Sequence, residues 1–82
     1  MSKYDPLRDH LMRRKEDMWR ASFSEIESIL GFPLPPSARK FNAWWENETR
    51  GSHSHARSWL SAGWRTRNLN LTGETVEFCR AD

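Results

Sequence analysis

Positive charge is spread unevenly along this chain, and its placement is the clearest chemical signal. Residues 1–31 carry six Lys/Arg and six Asp/Glu, and residues 32–48 carry two of each. Residues 49–73 then hold four arginines, Arg50, Arg57, Arg65 and Arg67, with no acid, and His53 and His55 lie between the first two. Guanidinium groups clustered with imidazoles are suited to neutralising phosphates, and a basic stripe within an otherwise balanced chain is the footprint of a nucleic-acid contact. Arg65 and Arg67 stand at i, i+2, so on a strand they share one face. Charge on an edge strand also serves to discourage aggregation.

Other constellations carry less. His53-Ser-His55 with Cys79 lacks the paired spacing of a zinc site, so no metal is expected. Glu25 and Glu27 at i, i+2 point to different sides of a helix, the wrong arrangement for shared acid–base work. Ser37 has no His/Asp relay in view and there is no glycine-rich phosphate loop, so neither an enzyme nor a cofactor is expected. Four of the five tryptophans, Trp44, Trp45, Trp59 and Trp64, fall within residues 44–64. Exposed rings there would stack on bases or cage a cation. In so short a chain they serve first as core, because each aromatic buries ~150–250 Å². Trp45, Trp59 and Trp64 are expected inside. Adjacent helical residues diverge by roughly 100°, so Trp44 is left open.

The elements that must position these residues follow from periodicity. Eighty-two residues make one domain. A helix is expected over 5–18, with Pro6 in its first turn and Leu7, Leu11 and Met18 on one face. Trp19, Ala21 and Phe23 alternate as a short strand. Ser24 with Glu27 has the form of a capping box for a helix over 25–30, closed by Gly31. Pro36 or Ser37 opens a helix running to about Glu46. A further helix spans about 52–62, with Gly63 at its left-handed C-terminal cap and Trp64 folding back on it. Strands over 65–71 and 75–80, joined around Thr72-Gly73-Glu74, form a hairpin with Leu69, Leu71, Val76 and Phe78 inward. The fold class is α+β, with three to four helices and a short three-stranded antiparallel sheet.

That order resembles a winged helix, in which a hairpin follows the recognition helix; His55 to Trp64 before the hairpin looks like the end of such a helix entering the wing. The sequence also resembles a small uncharacterised bacterial domain family through Phe23-x-Glu25-Ile26-Glu27-x-Ile29-Leu30-Gly31, Leu34-Pro35-x-Ser37-Ala38, Trp44-Trp45-x-Asn47, Ala56 to Trp64, and Val76-x-Phe78. The resemblance implies a fold and brings no activity with it.

The expectation is a DNA-binding domain, a small transcriptional regulator or the recognition module of a larger assembly, acting on double-stranded DNA. The 52–62 helix enters the major groove with Ser54, His55, Arg57 and Ser58 as base or phosphate contacts. Arg50, His53, Arg65 and Arg67, with Arg39 and Lys40 of the preceding helix, surround it and neutralise phosphates. In the other helix pair, 24–30 with 36–46, Ser37, Arg39, Lys40 and Asn42 would face DNA. A single small domain makes few base contacts, so a homodimer or a protein partner is expected. A second reading is a protein-interaction module, an adaptor, antitoxin or phage-encoded inhibitor, using Trp44, Trp45 and Asn47. One cysteine, no apolar leader and no membrane-length apolar stretch suggest the cytoplasm.

Overall fold

The computed structural model describes residues 2–48 and 54–81. Its elements are α1 (Asp5–Arg13), β1 (Met18–Ser22), α2 (Phe23–Leu30), α3 (Pro36–Lys40), a 3-10 turn (Asn42–Trp45), α4 (Ser54–Leu60), β2 (Trp64–Asn70) and β3 (Thr75–Arg80). The helices pack on one face of a three-stranded antiparallel sheet of order β1-β3-β2. The α+β expectation holds.

Local chemistry places most boundaries. Pro6 lies in the first turn of α1, and Leu7 and Leu11 are buried on one side. The helix stops at Arg13 rather than 18, because Arg14 is already extended (ψ 139°). Arg80 holds that exit: its Nε donates to Asp17 Oδ1 (3.0 Å) and its Nη2 to the carbonyls of Arg14 (2.9 Å) and Glu16 (3.2 Å). Met18 therefore belongs to β1 and is exposed, not part of the α1 apolar face.

The capping box of α2 is Ser22 with Glu25, two residues before the expected pair. Glu25 N–H donates to Ser22 Oγ (3.1 Å), and Ser22 N–H donates to Glu25 Oε1 (2.9 Å). This start puts Phe23, Ile26 and Leu30 on the buried face and frees Glu27 for a different task. Gly31 (φ +84°) closes the helix as expected.

The helix expected to reach Glu46 breaks at Phe41 (φ −126°, ψ 127°). The break lets Trp45 turn inward, where Nε1 donates to the Ala38 carbonyl (2.8 Å) and the ring stacks on Phe23 at 4.9 Å. Trp45, Trp59 and Trp64 are all buried, as the spacing predicted. Gly63 (φ +84°) turns the chain from α4 into β2.

Register sets the two faces of the sheet. Trp19, Phe78 and Thr66 align across the strands, as do Arg20, Glu77 and Arg67 one step along. The first row and Ala21, Val76 and Trp64 face the core. A bulge between Arg67 and Asn70, with Asn68 at φ +50°, changes the phase of β2. Leu69 and Leu71, expected inward, are in consequence only half-buried. In the hairpin turn, Glu74 rather than Gly73 takes the left-handed position (φ +54°).

Candidate nucleic-acid interface

The basic segment is built around Asn47, whose amide ties three elements together. Its Nδ2 donates to the Thr66 carbonyl (3.0 Å), and its Oδ1 accepts from Thr66 N–H (2.9 Å) and from Trp59 Nε1 (3.0 Å). The Thr66 hydroxyl donates to the Trp45 carbonyl (2.5 Å). Asn47 and Trp45, which the protein-interaction reading assigned to a surface, are thus committed to the fold. Trp44 is half-buried, with its ring stacked on His55 at 4.0 Å and 4°.

That stack corrects the role expected of His55. It is buried and lies edge-on to Tyr4 at 5.9 Å. Ser58 is buried too, its hydroxyl donating to the His55 carbonyl (2.6 Å). Both residues fall on the inner side of α4 because Ala56 and Trp59 set that side against the core. The outward row is Ser54, Arg57 and Ser61, at i, i+3 and i+7. It faces a groove of about 390 Å³ shared with Ser2, Asp5 and Arg8.

Among the expected cations, Arg39 is engaged inside the domain. Its Nη1 meets Glu27 Oε2 at 2.9 Å and its Nε meets Glu74 Oε2 at 3.1 Å. The Glu27 carboxyl is held below the usual carboxylate range by the Arg39 hydrogen bond first and the Leu34 N–H second. The charge of Arg39 is thus matched by two carboxylates of the domain. Lys40 is exposed at the end of α3, away from α4 in sequence, and Asn42 is exposed after it. Arg50 and His53 lie outside the described residues.

Arg57 and Arg65 are exposed and have no ion-pair partner among the described residues. Arg67 is exposed but bonded to Glu77 (Nε to Oε1, 3.0 Å). Arg65 and Arg67 share the sheet face turned away from the core, whereas α4 packs on the other face through the Trp59–Phe78 contact (5.7 Å). Cations contiguous in sequence are thus divided between two faces. Sequence reading passed over Arg20, which is exposed on the outer face in the row with Glu77 and Arg67. Its place between Trp19 and Ala21 marked it outward, but nothing in the sequence named the strand beside it.

No group of three His, Cys, Asp or Glu is placed to hold a metal among the described residues. None of their helices is long and apolar enough to cross a membrane. A family described as a domain of unknown function, DUF7662, matches residues 4–81. The chain belongs to that family. No curated protein and no solved structure matches it. The matched span of this DUF7662 domain covers every helix and strand described above, including both faces that carry arginine.

Proposed function

We propose that the domain binds duplex DNA, with α4 as the docking element and the hairpin flanking it. The observation that carries this reading is Arg57, exposed and without an ion-pair partner among the described residues, on the outward row of α4 with Ser54 beside it. Helix α4 and the turn after it offer small polar groups beside the cation, Ser54 and Ser61, which suits a helix read along a phosphate-lined groove. A hairpin directly after that helix, with its second strand in the centre of the sheet, supports the winged-helix likeness. A regulator or recognition module working as a homodimer, or with a protein partner, fits the small number of base contacts one such helix makes.

The test is fluorescence anisotropy with a labelled duplex between about 50 and 200 mM salt, where phosphate contacts give a steep negative slope. Arg57→Ala should weaken binding and reduce the slope by about one. Undetectable binding at low salt, or unchanged binding in Arg57→Ala, overturns the proposal.

A further inference from the structure

Among the described residues no element packs on the outer face of the sheet, where Met18, Arg20, Arg65 and Arg67 are exposed. Across its strands run two neighbouring rows, Arg20–Glu77–Arg67 and Met18–Cys79–Arg65. Three arginines thus share a small exposed surface with one carboxylate, Glu77, whose oxygen is already taken by Arg67 (3.0 Å) and Asn68 (3.1 Å). Arg20 has no ion-pair partner among the described residues. With strands about 4.8 Å apart and alternate residues about 6.8 Å apart, the three guanidinium stems rise from an area roughly 10 Å across.

We propose that this face is a second contact surface for the phosphodiester backbone of nucleic acid, with Arg20 and Arg65 as its cations outside any ion pair and Arg67 beside them. The inference rests on the nucleic-acid reading above and adds to it a surface on the opposite side of the core. Charge selects the occupant. A second copy of the chain docked face to face would set twice three arginines against twice one glutamate, a repulsive arrangement. Strand addition along β2 is blocked where the Asn47 amide already bonds both backbone groups of Thr66. The face carries no aromatic side chain: its apolar members are Met18 and Cys79. It therefore offers bases no stacking platform and contacts backbone irrespective of sequence. Glu77 tempers it, standing between Arg20 and Arg67.

The experiment pairs a loss with a gain. Arg20→Gln, which keeps a strand-compatible side chain, should lower affinity several-fold and reduce the salt slope by about one. Glu77→Gln should raise affinity, since it removes the single carboxylate of the face and frees Arg67. Duplex and single-stranded oligonucleotides are both titrated, and amide shifts of Met18, Arg20 and Cys79 on addition of either show which of them occupies the face. If Arg57→Ala weakens binding while Arg20→Gln and Glu77→Gln leave affinity and slope unchanged, the sheet-face proposal falls and the α4 reading stands. If neither nucleic acid binds at low salt, both fall. Saturable binding of poly-glutamate to this face in preference to either oligonucleotide also overturns it, in favour of an acidic protein partner.

Discussion

At the scale of single residues, Asn47 shows how a side chain can stand in for a strand. Strand β2 lies at the edge of the sheet, and an open edge invites pairing with another chain. The Asn47 amide answers both backbone groups of Thr66, at 3.0 and 2.9 Å, as a neighbouring peptide would. It also satisfies the indole N–H of the buried Trp59 (3.0 Å). Asn47→Ala leaves the buried Trp59 N–H unmatched, costing about 1–3 kcal/mol, and removes two edge hydrogen bonds worth about 0.5–1.5 kcal/mol each, so a loss of about 2–6 kcal/mol is expected in urea unfolding. Self-association at high protein concentration should accompany it. Glu27 is a second case. Its folded carboxyl titrates below its ordinary value because Arg39 and the Leu34 N–H favour the charged form. The resulting stabilisation is present above the unfolded carboxylate pKa and is lost as pH falls through the lower folded value. Glu27→Gln should therefore flatten the acid limb of a stability-against-pH curve below about pH 4.5 and lower stability at neutral pH. Neither role was legible in sequence. Asn47 reads as a candidate interaction residue and Glu27 as a cap, because partners 19 and 12 residues away leave no local pattern.

At the scale of elements, local chemistry was legible where the partner is local. The stops at Gly31 and Gly63, strand β3 and the inward set Trp45, Trp59 and Trp64 follow from spacing and capping. The errors came where two local solutions compete. Ser22/Glu25 and Ser24/Glu27 both have the capping-box form, and the buried face of α2 decides between them. Residues 36–46 have helical spacing throughout, yet the hydrogen bond from Trp45 to the Ala38 carbonyl and its stack on Phe23 favour a break at Phe41. Gly63 gives a clean test of element-level coding. A Cβ there meets no atom within 4 Å, so the penalty of Gly63→Ala is conformational alone, from φ +84°. A left-handed residue with a Cβ costs roughly 1–2 kcal/mol, and thermal or urea unfolding should show a loss of that size. A negligible change would mean that the α4–β2 turn relaxes to another geometry.

At the scale of the whole molecule, sheet parity reorganises what the sequence presented as one basic segment. Arg57 goes to the outer row of α4, Arg65 and Arg67 go to the far face of the sheet, and Arg20 joins them from a distant part of the chain. His55, adjacent in sequence to these cations, is drawn inward by Trp44 and Tyr4. Clustering along a chain predicts clustering in space only when the side chains share a face, and here the core-facing row of the sheet that holds Phe78 lies between α4 and the outer-face arginines of β2. The domain measures 29 × 26 × 23 Å along its principal axes, and under the proposed reading Arg20 and Arg57, on opposite sides of the core, meet separate stretches of nucleic acid. Effects of residues more than ~7–10 Å apart without shared partners add within about 0.5 kcal/mol. The double variant Arg20→Gln/Arg57→Ala should accordingly lose the sum of the two single losses in duplex-binding free energy, with both salt-slope decrements present. A coupling clearly above about 0.5 kcal/mol in that cycle would mean that both arginines meet one phosphate cluster, and the two-face arrangement would be wrong.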